Sequence, residues 1–256
     1  MRLLLIVFAT AALLLGSSAA WAKCFPMVQA TPRIVPASLP ATGSVRITFL
    51  GHSSFLIETP DGVTAVTDCN GYIRPAAPPD IVTMNNAHDT HYTDFPDPEI
   101  DLVLRGWGPQ GEVATHAHTV KDMEVWNVPT NLIRWDAGDT NGNSIFVFQV
   151  ASLCIAHLGH LHHVLTEENL ASLGSIDVLL VPVDGAYTMA QEYMVKVIQQ
   201  IRPAVIIPMH YFNDTTLGRF LALMKDSYEV VVSDTPTVTF TRLNLPHRRI
   251  LILPGI

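Results

Sequence analysis

Positive charge is scarce in this chain: 15 Lys and Arg face 23 Asp and Glu across 256 residues, a net charge of −8 at pH 7. That balance argues against nucleic acid and against anionic membrane as partners, since both are held by basic patches. Cysteine is scarcer still. Three residues, an odd count, allow at most one disulfide and leave one thiol over. Internal repeats, low-complexity tracts and blocks of like charge are missing, so one large domain is the simplest organisation. The long apolar run that the chain does possess lies at its very start.

Met1-Arg2 leads into an unbroken apolar stretch to Gly16, then Ser17-Ser-Ala-Ala-Trp-Ala22, with small residues at Ala20 and Ala22. This is the pattern of a secretory signal peptide cut after Ala22. The run is too short and too cleanly ended to span a membrane stably. Lys23 stands before Cys24, where a lipoprotein signal requires a small residue, so no lipid anchor is expected. The expected organisation is a signal peptide over 1–22, a Pro-bearing extension over 23–43 and one domain over 44–256. The mature chain, without Arg2, carries −9 and is expected in the periplasm or secreted, free of the membrane.

From Ser44 the residues alternate as strands do: Val45, Ile47 and Phe49, then Phe55 to Ile57, with Pro60-Asp-Gly62 as a hairpin turn before Val63 to Thr67. Ile81 to Met84, Ile100 to Leu104, Met123 to Val128, Ser144 to Val150 and Ser152 to Ala156 read as further strands, with Asp136 to Asn143 as a turn cluster. After His163 the pattern becomes helix alternating with strand. Thr166 caps a helix that Gly174 ends, Thr188 with Gln191 forms a capping box, and Met194, Val197, Ile198 and Ile201 make one buried face. Leu217, Phe220, Leu221 and Met224 repeat that spacing after an Asp214 cap. Cys154, inside an apolar strand, reads as a small buried hydrophobe.

The chemistry collects where strands end. Leu153 to Ala156 runs straight into His157-Leu-Gly-His160-Leu-His-His163, four histidines in seven residues. Imidazoles that crowded would repel one another if protonated, so the cluster suits neutral rings sharing a cation. Other strand ends carry Gly51-His52-Ser-Ser54, Asp68-Cys69, Asn85-Asn-Ala-His88-Asp-Thr-His91, Asp184 and Pro208-Met-His210-Tyr211.

Phe49-Leu-Gly-His-Ser-Ser-Phe-Leu-Ile57, Thr67-Asp68, the segment Pro79 to His91, Ala156-His-Leu-Gly-His160, Pro182 to Met189 and Ile207-Pro-Met-His-Tyr211 together resemble, in order, the motifs of the metallo-β-lactamase superfamily. The resemblance is to its ascorbate-6-phosphate lactonase-like branch and spans roughly Val45 to the C-terminus. It implies an α/β fold of the αββα sandwich type. It also implies metal ligands at His88, His91, His157, His160 and His210. Three family ligands are replaced: Asn86 stands for the first His of His-x-His, Thr90 for the Asp of Asp-His, and His160 for the Asp that bridges two metals. Carboxylates are lost and an imidazole is supplied, so one ion is expected rather than two, and zinc rather than a harder ion.

In the resembled hydrolases a metal-bound hydroxide attacks an ester, lactone or phosphoester, and a single zinc suffices to acidify the water. With acids missing at 90 and 160, proton handling falls to Asp68, His52 or Asp184; each suits equally a role holding a metal-bound histidine in place. Thr115-His-Ala-His118 reads as a strand with two histidines on one face, and His162 and His163 as solvated loop residues. Cys69 reads as structural or disulfide-bonded, with thiolate ligation as the alternative. Tyr187 and Tyr211 flank matched motifs and are candidate donors to a substrate oxyanion. The expectation is an exported metal-dependent hydrolase of a small-molecule substrate. The alternative is a protein that kept the fold and a cation site but lost turnover.

Overall fold

The computed structural model describes residues 43–133 and 138–255. The expected signal peptide over 1–22, and the expected extension up to residue 42, lie outside the described residues. Among the described residues, fourteen strands form two sheets. In chain order they are β1 (Val45–Gly51), β2 (Ser54–Glu58), β3 (Thr64–Val66), β4 (Ile81–Met84), β5 (Leu102–Arg105), β6 (Ala117–Val120), β7 (Met123–Ile133), β8 (Gly138–Val150), β9 (Leu153–His157), β10 (Val178–Pro182), β11 (Val205–Met209), β12 (Glu229–Val232), β13 (Thr237–Phe240) and β14 (Arg249–Ile252). The first sheet has the order β13-β1-β2-β3-β4-β5 and the second β12-β14-β11-β10-β9-β8-β7-β6. The α-helices of the described residues, α1 (Glu167–Leu173), α2 (Gln191–Ile201) and α3 (Asp214–Met224), come from the second half of the chain.

Alternation in the strands divides the core into layers. Leu153 and Ile155 of β9, Phe146 and Phe148 of β8, and Val178 and Leu180 of β10 face the first sheet and meet Ile47, Phe55 and Ile57 there. Their neighbours Cys154, Ala156, Leu179 and Val181 face Met194, Val197 and Ile198 of α2 and Leu217 and Phe220 of α3. The outer face of the first sheet carries a smaller cluster of Leu50, Val66, Cys69, Val82 and Met84, packed by Ile73, Tyr92, Ile100 and Trp107. Among the described residues, loop segments cover that face in place of α-helices, so the helical layer is on one side. No helix of the described residues is long and apolar enough to cross a membrane.

Four local expectations change. The segment read as a turn over Asp136 to Asn143 is largely strand: β8 begins at Gly138, and Thr130, Leu132 and Ile133 of β7 pair with Asn143, Asp139 and Gly138. Cross-strand pairing overrides the turn propensity of Asn and Gly there. Thr188 and Gln191 do not box a helix start; α2 has Ala190 as its N-cap, while Thr188 Oγ1 donates to Asp184 and Gln191 Nε2 donates to Val183 O and Thr216 O. The cap of α3 is Asn213 rather than Asp214, its side chain accepting the Thr216 N–H at 2.9 Å. Cys154 is disulfide-bonded as well as buried. Thr166 caps α1 as expected, and Asn169 bonds back to complete a capping box that the sequence reading did not include.

β3 and β4 run parallel to each other, as do β9, β10 and β11. Their C-terminal ends, with the β1–β2 turn, bring together the loops that bear His52, Asp68, His88, His91, His157, Asp184 and His210.

Candidate metal centre

Three residues enter this edge through left-handed backbone: His52 (φ 52°), Asp68 (φ 45°) and His210 (φ 53°). Non-glycine residues held in this region cost roughly 1 kcal/mol or more each and gather where geometry serves function. The His210 N–H donates to His52 O at 2.8 Å, which ties the β11 end to the β1–β2 turn.

Five imidazoles form one contiguous group. Ring centroids of His52 and His210 lie 4.3 Å apart, His91 and His210 5.1 Å, His91 and His160 4.9 Å, and His160 and His210 5.5 Å. His88 joins at the half-open side, 6.0 Å from both His91 and His160. Within the group, His52, His91 and His210 each offer a nitrogen, the three lying within 4.8 Å of one another.

Two buried carboxylates stand behind this set. Asp68 Oδ2 accepts from His91 Nδ1 at 2.6 Å, and Asp68 Oδ1 accepts the Asn85 N–H at 3.1 Å. Burial alone would raise the Asp68 carboxyl; electrostatic attraction to the His91 and His157 rings and the hydrogen bonds from His91 and Asn85 outweigh it and hold the group well below the usual carboxylate range. Asp184 Oδ1 faces His210 Nδ1 at 3.1 Å, close enough for electrostatic pairing but off the line of a regular hydrogen bond. Burial would likewise raise Asp184, but the His210 contact, Thr188 and the Ala186 N–H depress it well below its ordinary value.

Ionised carboxylates only accept, so His91 keeps its proton on Nδ1, and the Asp184 contact favours the same tautomer in His210. Their Nε2 atoms then present lone pairs, and these face each other at 3.2 Å. Two nitrogens on one tetrahedral ion with bonds of ~2.0–2.1 Å stand about 3.3–3.4 Å apart. A shared proton or a shared cation satisfies that contact. His52 Nε2 is buried with no hydrogen-bond partner, and burial, then the neighbouring His210 and His91, push its pKa down to about 4. It is therefore neutral at pH 7. Three imidazole nitrogens, two of them on rings backed by carboxylates, fit a divalent cation.

The remaining candidates lie as follows. His160 is buried beside His91, its Nδ1 2.8 Å from His162 Nε2, and burial with the nearby His91 and His162 lowers its pKa to about 2. His157 stands apart from the donor group. Its Nε2 donates to Ser53 O at 2.7 Å and its Nδ1 meets Asn85 Nδ2 and the Gly159 N–H, both at 3.1 Å. His162 holds the β7–β8 hairpin, donating from Nδ1 to Ile133 O at 2.9 Å, and His163 Nε2 accepts the Asn131 N–H. His116 donates to Arg105 O at 2.7 Å and lies 6.0 Å from the His118 ring. Cys69 is a buried free thiol in the outer cluster, its pKa raised by burial. Tyr211 packs on the helical side, whereas Tyr187 is exposed near the centre and touches Phe212, which lies 5.5 Å from His210. Sequence reasoning passed over Asn143, whose Oδ1 accepts the His160 N–H at 2.8 Å and whose Nδ2 donates to Thr130 Oγ1. It also passed over Phe212; adjacency to the His210 motif was the available signal.

Residues 46–210 match the family model of the beta-lactamase superfamily domain. A UPF0173 metal-dependent hydrolase of Pyrococcus horikoshii is 22% identical over 222 residues, covering 73% of this chain and 96% of the relative. A similar protein of Pyrococcus furiosus is 24% identical over 198 residues, covering 65% of this chain and 84% of the relative. Among solved structures, a protein of Thermotoga maritima described as a Zn-dependent hydrolase of the metallo-β-lactamase superfamily is 29% identical with a TM-score of 0.57, covering 82% of this chain and 98% of that one. A metal-dependent hydrolase structure from Parabacteroides distasonis, at 18% identity and a TM-score of 0.60, covers 72% of this chain and 90% of that one and shares the fold.

Proposed function

The chain belongs to the beta-lactamase superfamily, and from that premise we propose that it is a metal-dependent hydrolase of an ester, lactone or phosphoester. One divalent cation, zinc, is held at Nε2 of His91 and His210 with His52 as the third donor. The observation that carries this reading is the pair of facing Nε2 atoms, 3.2 Å apart, each ring backed by a buried carboxylate at its other nitrogen.

A bound zinc ion acidifies water and offsets negative charge on the substrate. The chain supplies the rest. Asp68 and Asp184 fix tautomer and ring direction, and the low proton affinity of His52 keeps it available as a neutral donor. His88, half exposed and hydrogen-bonded through Nδ1 with Thr90 Oγ1 at 2.9 Å, stands at the mouth, placed to exchange a proton with solvent. In hydrolysis the water oxygen joins the acyl carbon or phosphorus, the ester bond breaks, and the departing oxygen takes the proton that water gave up. Supported by the pattern of residues 1–22, the same reading places the mature chain in the periplasm or outside the cell.

A second reading has its own observation: both buried acids beside the cluster stand behind histidines, and Thr90 occupies the place of a free one. On that reading the protein binds metal without turnover. Elemental analysis of the purified chain, with lactones, esters and phosphodiesters assayed with zinc and with chelator, separates the two. Near-stoichiometric metal and chelator-sensitive turnover are expected. Stoichiometric metal with silence across the panel favours the second reading, and absence of metal after zinc loading defeats both.

A further inference from the structure

Two aromatic rings stand in solvent beside the histidine cluster. Phe212 is 59% exposed and Tyr187 66% exposed, and their centroids lie 5.6 Å apart, edge to face. Phe212 also lies 5.5 Å from His210 and 5.9 Å from His52. Single exposed apolar side chains are ordinary on a protein surface. This pair differs, because the two rings join each other and two candidate ligands into one apolar wall that adjoins the reacting position.

The backbone beneath the wall is firmly held. Asp184 Oδ2 accepts the N–H groups of Ala186, Tyr187 and Thr188 at 2.8, 2.5 and 3.0 Å. Asn213, next to Phe212, caps α3. The rings are thus presented by ordered elements, which keeps the entropic cost of gripping a ligand low.

Charge narrows what the wall receives. Among the described residues, no Lys or Arg makes a hydrogen bond, ion pair or ring contact with His52, His91, His160, His210, Tyr187 or Phe212. Asp89, by contrast, lies exposed next to His88. Among the described residues, an anionic phosphoester would find no Lys or Arg bonded to this wall, whereas a neutral flat ring would find edge and face contacts.

We propose that Phe212 and Tyr187 form a subsite for the aromatic part of an uncharged aryl ester or aryl lactone. The proposal rests on the hydrolase reading of the adjoining centre, but its test does not. Chromone, an uncharged bicyclic probe with no bond for this centre to hydrolyse, is titrated into the metal-free full chain and followed by saturation-transfer NMR. Its dissociation constant is expected to rise about tenfold in Phe212→Ala and in Tyr187→Ala, and to stay unchanged in Tyr187→Phe. With zinc present, KM for dihydrocoumarin should rise about tenfold in the two alanine variants, more than KM for δ-valerolactone does. Both side chains are exposed, so the melting temperature should not move. Chromone that does not bind the wild type, or that binds both alanine variants equally well, overturns the subsite. Ring-dependent chromone binding with silence across the lactones, esters and phosphodiesters keeps the subsite and defeats the hydrolase reading.

Discussion

Gly159 lies against Asn85 with no room for a side chain: a β-carbon at position 159 would stand 2.5 Å from Asn85 Nδ2, 2.6 Å from Asn85 Cβ and 2.7 Å from Asn143 Oδ1. Its φ of +59° is also one that an L residue rarely adopts. Both neighbours position histidines, Asn85 through His157 and Asn143 through the His160 N–H. Gly159→Ala is therefore expected to cost about 2–4 kcal/mol by denaturant unfolding. Gly218, in α3 with nothing within 4 Å of where a methyl would stand, is the control: Gly218→Ala should gain about 0.5–1 kcal/mol. Equal effects of the two substitutions would show that the crowding at Gly159 is without consequence.

On the proposed reading, the carboxylates behind His91 and His210 would act on the cation through the rings they hold. Asp68→Asn and Asp184→Asn keep the shape but lose the charge and the fixed acceptor. Each is expected to weaken zinc affinity about 10–100-fold, read by competition with a chromophoric chelator. Unchanged affinity in both variants would remove the carboxylates from any part in metal holding.

Much of the layering was legible because burial imposes period two on strands. The run Leu153 to Ala156 on β9 is apolar throughout, which marks a strand packed on both sides, and its residues alternate between the two faces. The same alternation carries His157 to the inter-sheet side, where Ser53 O and Asn85 engage both ring nitrogens. Reading the residue from a strand end and a motif placed it among the ligands, since the partner that meets it comes from a loop over a hundred positions away (Ser53). The strand through Gly138 to Asn143 was illegible for a related reason: Asn143 is polar and turn-prone, yet its amide is satisfied by Thr130, Leu158 and His160 once the sheets meet. His52 was assigned proton handling; its proximity to His91 and His210 follows from the His210 N–H bond to His52 O, a tertiary contact without local signature.

The histidines also set a pH dependence for the metal-free chain. His52, His157 and His160 all have pKa values below the ordinary 6.5, burial being the first cause in each. Between about 4, where His52 titrates in the folded chain, and 6.5, the unfolded chain binds more protons. Their contribution to stability is thus full above 6.5 and is lost as pH falls through that window. Asp68 and Asp184 are depressed, so what they contribute holds above the ordinary 3.8 and is lost only below it. Thermal melts of chelator-treated protein should show a melting temperature that falls steadily from about pH 7 to about pH 4.5. A flat profile would mean that these rings are not buried neutral.

On the proposed reading, His157 is a structural histidine and His210 a ligand, and the two can be told apart. Removing the His210 ring takes away one of the two facing nitrogens and leaves Asp184 without its partner. His210→Ala should therefore lose stoichiometric metal while the chain still folds, because Phe212 and the His52 turn stay anchored by backbone. Removing the His157 ring instead strips Ser53 O and Asn85 of buried hydrogen bonds and opens a void next to Phe55, whose ring lies 6.1 Å away. That variant should lose about 2–4 kcal/mol of stability by urea unfolding and still bind near one equivalent of zinc below its melting temperature. Elemental analysis of the two folded variants decides it: metal retained in His210→Ala, or absent from a folded His157→Ala, would reverse the assignment and return His157 to the coordination sphere.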